Sequence, residues 1–356
     1  MSHQPSISVI LPVYNSGKYL LEAIQSLQHQ TYPYFECLVC DASTDESSQF
    51  LSTLTQQDPR FIWLPQKGFS LVDSLQDGIA RATAPLIARM DADDIAHPLR
   101  FEKQINVLKK QHDLLLLGSA IQYISYRGNK GRIVTFPEYP SEKDLLWGCP
   151  FSHPSVMFRR DSVQAIGGYR QFFKRAEDYD LWLRLLGHGC LRNLQIPLLF
   201  YRIHETNSII IHAQENRNFA IIAQASYLLT KKGKQTILSP TSTKEEILTR
   251  FPEDEQAFIF LRMLACSAHL TGDEYEDAEA HYWLSRIKKQ HLISKEIKQA
   301  LALYYTRCAR RYFRTATVRM VRNIMKAIYY DFRIPVSLVF KVVAGVIQKY
   351  LRVLTK

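Results

Sequence analysis

The sequence predicts an α/β fold: a mainly parallel sheet in a catalytic-size first domain, followed by an all-helical C-terminal region. Three observations predict it. Short apolar runs alternate with helix-period segments through the first 90 residues, the signature of βαβ units. Acidic residues stand directly after two of those runs, and a parallel sheet binds ligands beyond the carboxyl ends of its strands. After Asn207 no segment reads as a strand.

Residues 7–12 read as the first strand, and 18–28 as a helix with Leu20, Ile24 and Leu27 on one face. Residues 35–40 form a second strand, after which 43–45 open a helix with cap-type side chains. A short strand at 61–64, a helix at 71–81 and a strand at 86–90 follow, the last ending at Asp91. Further on come a helix over 99–110, strands at 114–117, 132–136 and 155–158, an acidic-capped helix at 178–186, and a strand at 198–202. Residues 258–269 and 277–288 have the pattern of a helical hairpin. The expected domains are therefore residues 1–212, a helical region 213–300, and a basic amphipathic tail 301–356.

Composition narrows the function class. The chain has 356 residues, 46% of them apolar, enough for a packed core. Its six cysteines do not form the dense pattern of a disulfide framework. Cys37 and Cys40 are a CxxC pair, but on a strand residues i and i+3 face opposite ways and cannot share a ligand. No signal peptide precedes the first strand, and no apolar run reaches the roughly 18–20 residues of a membrane span. The expectation is a cytoplasmic protein.

The net charge of +11 is concentrated at one end: residues 301–356 hold 12 Lys or Arg and one acid, Asp331, while residues 1–300 balance. Arg307, Arg310, Arg311 and Arg314 repeat at helical spacing, as do Arg319, Arg322 and Lys326. Basic amphipathic helices lie in the membrane interface, attracted by about 1 kcal/mol per cation near anionic lipid. The tail is accordingly expected to hold the protein peripherally on the inner face of the cell membrane. A homodimer through the same helices is the competing reading. No nucleic-acid-binding motif accompanies the charge.

The chemistry-bearing segment is Arg89-Met90-Asp91-Ala92-Asp93-Asp94, at the end of an apolar strand. Three carboxylates within four residues repel one another unless a cation neutralises them. Hard divalent ions such as Mn²⁺ or Mg²⁺ take oxygen ligands and bind through one or two carboxylates plus substrate phosphates. The alternative is a solvated acidic loop capping the next helix.

Other motifs come in a fixed order around this one. They are Pro12-Val13-Tyr14-Asn15, Cys40-Asp41-Ala42-Ser43-Thr44-Asp45, His153-Pro154-Ser155, Gly167-Gly168-Tyr169, Glu177-Asp178-Tyr179-Asp180 and Tyr201-Arg202-Ile203-His204. The series resembles the family 2 glycosyltransferases, which have the GT-A fold and invert the anomeric centre, over about residues 6–210. The resemblance implies a nucleotide-diphosphate sugar donor, UDP-linked, and a glycan or lipid-linked oligosaccharide acceptor in cell-surface polysaccharide synthesis. It implies that Pro12 and Tyr14 line the nucleotide pocket and that Asp41 hydrogen-bonds the base. It gives Asp91 to ribose or metal, Asp93 and His204 to the metal, and Asp178 the role of catalytic base, leaving Asp94 structural. Arg202 and Lys67 are two cations that the resemblance makes candidate diphosphate contacts, their competing reading being ordinary solvated charge. Asp45 is open between ligand contact and helix capping; Tyr169 is expected to shape the acceptor side, and Trp182 is open between the acceptor side and the core. Two departures stand out: Cys40-Asp41-Ala42-Ser43 where the family often has Asp-Asp-Gly-Ser, and Gln76 where it often has Asn. The alternatives to a transferase are a non-catalytic partner with the same fold and a sugar nucleotidyltransferase. Against the latter, residues 12–17 lack the Gly-rich, Arg-containing phosphate loop.

Overall fold

The computed structural model describes residues 4–66, 68–205, 207, 211–231 and 233. These fall in the first of two units into which the chain divides, Met1–Thr241. Lys67, the helical hairpin expected over 258–288 and the basic tail 301–356 lie outside the described residues.

The chain begins with three βα units and a fourth strand: β1 (Ile7–Val13), α1 (Gly17–Gln28), β2 (Phe35–Asp41), α2 (Ser47–Gln57), β3 (Phe61–Pro65), α3 (Leu71–Arg81) and β4 (Leu86–Arg89). β5 (Ile95–Ala96), α4 (Arg100–Lys110), β6 (Leu114–Ser125), β7 (Lys130–Val134), α5 (Glu142–Trp147), β8 (Met157–Arg159) and α6 (Arg160–Ala165) follow. α7 (Glu177–Leu185), β9 (Cys190–Ile203) and α8 (Ala213–Lys231) complete it. The strands form one sheet in the order β3-β2-β1-β4-β8-β6-β9-β5, with β7 paired to β6. β1–β2, β1–β4, β2–β3 and β6–β9 are parallel, while β8 runs antiparallel to both β4 and β6. Six strands therefore share one direction, as a mainly parallel sheet requires.

Every residue of β2 is buried, because helices cover both faces of a parallel sheet and its strands become continuous apolar runs. Cys37 and Cys40 are two of these residues, both free thiols in the core. The core joins Ile7, Val9 and Leu11 of β1 to Leu20, Ile24 and Leu27 of α1 and to Phe101, Ile105 and Leu108 of α4. A polar network crosses it. Fully buried Arg100 donates to the Arg89 carbonyl at 2.7 Å, and Gln104 Nε2 donates to the carbonyls of Leu117 and Ser155 at 3.0 and 2.9 Å. The ends of β4, β6 and β8 are thereby tied together beneath the acidic turn.

Several elements differ from the sequence reading. β6 and β9 run 12 and 14 residues, well past the apolar stretches that announce them. A polar member of β9 finds its donors' partners inside the fold: Asn193 Nδ2 donates to the Pro137 and Pro150 carbonyls, each at 3.0 Å. α2 opens at Ser47 and not at 43–45, because Asp41 Oδ1 and Asp45 Oδ1 accept from the Ser43 and Ser47 amides at 2.9 and 3.0 Å. Such contacts build Asx turns ahead of the helix. Asp45 is thus held in the turn that leads into α2, whose N-cap is Glu46. α5 and α6, six residues each, and two-residue β5 are too short for periodicity to announce. Among the described residues no helix is long and apolar enough to cross a membrane.

Candidate active site

The loops at the carboxyl ends of β1, β2, β4 and β9 open on one edge of the sheet. Val13 stands opposite Asp41 in the β1–β2 register, and Pro12 opposite Cys40. Tyr14 is 68% exposed, so its ring is free to cover a planar ligand. Asn15 and Gly17 take positive φ of 49° and 46°, which folds the loop back onto its neighbour. There the Asn15 amide donates to Ser43 Oγ at 3.0 Å, and Asn15 Oδ1 accepts from the Thr44 amide at 2.9 Å. Asp41 is buried and already accepts from Ser43 N, Ser48 Oγ at 2.6 Å and Trp63 Nε1 at 3.0 Å. Burial alone would raise its pKa, but these donors outweigh burial and hold the carboxyl below its ordinary value.

The acidic turn follows β4. Asp91, Asp93 and Asp94 bring ligand oxygens within 4.8 Å of one another. Arg89 Nη1 lies 2.5 Å from Asp91 Oδ2. Asp94 is 1% exposed; its Oδ1 accepts from the Arg202 amide at 2.8 Å, while its Oδ2 has no hydrogen-bond partner. Burial pushes Asp91 up against the pull of Arg89, and burial plus the charges of Asp91 and Asp93 push Asp94 well up. An orphaned buried carboxylate oxygen beside two further carboxylates fits a hard divalent cation of the Mg²⁺ or Mn²⁺ kind. This set differs from the expected one by including Asp94, whose free oxygen gives it a ligand's capacity beside its structural bond.

His204 stands behind this set, its Nε2 2.8 Å from Asp93 Oδ2, its ring stacked on Tyr19 with centroids 5.2 Å apart. Asn207 Oδ1 accepts from the His204 amide at 2.6 Å. In this arrangement His204 orients Asp93; to ligate a metal through Nε2 it has to release that contact.

Arg202, expected as a candidate diphosphate contact, is placed against the acidic turn. It is 1% exposed, and its Nε donates to the Asp93 carbonyl at 2.8 Å, Nη2 to Glu22 at 2.6 Å, and Nη1 to the carbonyls of Ser125 and Tyr126 at 3.5 Å. Tyr19 lies under the guanidinium, 4.6 Å from its centre. With all three nitrogens donating to protein and the side chain 1% exposed, it braces the acidic turn in this structure, four of its five N–H donors going to these carbonyls and Glu22. No local signal identifies Glu22 as its partner, since the two are 180 residues apart.

Asp178 enters from the other side, in the first turn of α7 with Glu177 and Asp180, where the helix dipole favours negative charge. It is half-buried, with Cys149 Sγ 4.0 Å from Oδ2. Burial lifts its pKa, and the charges of Arg89 and Asp91 reach it. Asp180 is buried and held by Arg170 and Arg184, a structural role. Trp182 and Tyr169 are both buried, Trp182 against Phe151, His153 and Phe158. Trp182 thus takes the core side of its two readings, and Tyr169, expected on the acceptor side, is buried as well.

The described geometry is that of a parallel sheet with a cluster of three carboxylates after β4, and the comparisons place it in a family. The model of glycosyl transferase family 2 matches residues 8–167. The putative glycosyltransferase EpsE of Bacillus subtilis is 32% identical over 210 residues, 58% of this chain and 75% of its own length. The O-antigen biosynthesis glycosyltransferase WbnJ of Escherichia coli is 34% identical over 209 residues, 57% of this chain and 81% of its own. The chain belongs to glycosyl transferase family 2. It is a transferase enzyme, and the nine-stranded sheet is the family's GT-A fold. Among solved structures, S. aureus TarS 1–349 in complex with UDP-GlcNAc superposes with a TM-score of 0.57 at 16% identity, covering 91% of each chain. That likeness is one of fold alone.

Proposed function

We propose that the protein is an inverting glycosyltransferase that moves a sugar from a UDP-sugar to a hydroxyl of a glycan or lipid-linked oligosaccharide in surface polysaccharide synthesis. The observation that carries the reading is the carboxylate cluster at the end of β4, with a further carboxylate, Asp178, in the first turn of α7. Asp91, Asp93 and Asp94 converge within 4.8 Å, and Asp178 lies across from them within reach of the Asp91 and Arg89 charges. A direct displacement needs one carboxylate to take the acceptor proton as its oxygen attacks the anomeric carbon, and a half-buried aspartate is suited to that. Bound Mn²⁺ or Mg²⁺ would supply the positive charge that stabilises a departing diphosphate. Asp91, Asp93 and Asp94 are the residues to hold it, with His204 orienting Asp93.

Exposed Tyr14 and the Pro12 strand end support a nucleotide pocket at β1. Asp41 has one acceptor site to spare for a ring N–H, since a carboxylate offers about four and three are filled. Lys67 is proposed as the diphosphate contact. The named role of WbnJ in O-antigen biosynthesis supports the acceptor class.

The test is nucleoside-diphosphate release from UDP-, GDP- and dTDP-sugars with Mn²⁺, Mg²⁺ or EDTA, for wild type, Asp93→Ala and Asp178→Asn. The expected result is metal-dependent release from the UDP-sugar, lost by about 10²-fold or more in each variant. Absence of release from every donor, with lipid acceptor extract supplied, would leave the non-catalytic partner as the better reading.

A further inference from the structure

The polar groups beneath the first turn of α7 have no part in the chemistry above. Glu177 is 7% exposed, and its Oε1 lies 3.9 Å from His153 Nδ1. The other ring nitrogen of His153 is 2.8 Å from the Tyr169 hydroxyl. Tyr169 is fastened in turn, its amide donating to Gln76 Oε1 at 2.8 Å. Gln76 belongs to α3, so this line of contacts runs from α3 to the helix that carries Asp178.

The charged and titratable groups facing Glu177 are Asp178 on α7, Arg89 at the end of β4, Asp91 beyond it, His153, Tyr169 and Cys149. Arg89 is engaged by Asp91. Burial, then the Arg89 charge, keeps His153 well below its ordinary pKa, so the imidazole is neutral. Two adjacent carboxyl groups, one of them out of water and without a cation of its own, do not both ionise at neutral pH.

We propose that Glu177 is a positioning residue that works as a neutral carboxylic acid, packed against His153, so that the first turn of α7 presents a single negative charge on Asp178. The inference rests on Asp178 being the base. Burial, then the Asp178 charge, push the Glu177 carboxyl up to about 8. Cys149 and Tyr169 are pushed well above their ordinary values by burial, so neither ionises in that range. As pH rises through about 8 Glu177 releases its proton, and a second charge develops beside the place an anionic donor must occupy. The KM for donor then rises while neutral-pH turnover is untouched.

The test compares kcat and donor KM between about pH 6 and pH 9 in wild type, Glu177→Gln, Glu177→Ala and Asp178→Asn. Glutamine is isosteric with the neutral acid. E177Q should stay within about threefold of wild-type kcat/KM at pH 7 and lose the fall above pH 8, whereas E177A should drop about tenfold or more in kcat. With D178N inactive, an E177Q enzyme that keeps the alkaline fall, or loses about a hundredfold at pH 7, overturns the proposal. A fully active D178N would instead overturn the assignment of the base, and this inference with it. A second measurement needs no variant: with carboxyl-¹³C glutamate in the full wild-type chain, one glutamate should titrate near pH 8, and none doing so overturns the proposal even if E177Q fails to fold.

Discussion

Arg202 shows how a residue two positions from a candidate ligand is tied into the acidic turn. Its guanidinium spans the Asp93 carbonyl, Glu22 on α1 and the end of β6, three elements that meet only in the fold. A planar fork serves several acceptors at once, and an ammonium does not. Arg202→Lys should therefore loosen the acidic turn while keeping the charge. The expected outcome is an about tenfold weaker Mn²⁺ affinity by calorimetry and about 2–3 kcal/mol lost in urea unfolding; Glu22 is about half exposed, which keeps the cost below that of a fully buried pair. Unchanged metal affinity in a folded R202K would assign the side chain to stability alone. The acidic residues themselves are legible in the sequence, because three carboxylates crowded at a strand end need a reason. Glu22 and Tyr19 are not, because their only distinction is proximity to Arg202 and His204 in space.

At the scale of elements, the connection between α6 and α7 turns on two glycines. Gly167 and Gly168 have φ of 85° and 64°, a region that costs other residues about 1–2 kcal/mol. A Cβ on Gly168 would also come 2.2 Å from Gln76 Oε1, displacing the side chain that holds Tyr169. Gly168→Ala should cost about 2–3 kcal/mol by urea unfolding, from backbone strain plus the lost Gln76 bond. Gln76→Ala in the same background should cost less than it does alone, since both changes break one contact. Additive costs would mean the latch is not shared. Gln76 departs from the residue the family often carries there, and the sequence marks it as a departure without giving its partner. The βα units, by contrast, are readable almost to the residue: α3 falls at Leu71–Arg81 as its periodicity predicts. β9 is readable only in its last third because Arg192, Asn193 and Gln195 interrupt the apolar pattern. Their hydrogen bonds to the segment 136–138 and to Pro150 come from outside the strand, where no local pattern records them.

For the whole molecule, charge and catalysis separate along the chain. Residues 1–300 are electrically balanced, and the excess sits in 301–356, so long-range attraction to an anionic partner depends on that tail. If its partner is a lipid surface, binding is the sum of buried apolar side chains and about 1 kcal/mol per cation near the headgroups, and the second part is screened by salt. The full chain should then cosediment with vesicles containing about one-third anionic lipid, bind neutral vesicles at least tenfold more weakly, and dissociate as salt rises from about 0.1 to 0.5 M. Equal binding to neutral vesicles would remove the electrostatic part of the argument. Failure to bind either vesicle, with a dimer in sedimentation, would give the tail to a second copy of the chain. Donor hydrolysis measured with and without vesicles adds the functional side. An acceptor carried in the membrane makes surface binding raise the local acceptor concentration, so transfer to lipid should gain from the tail while release to water should not.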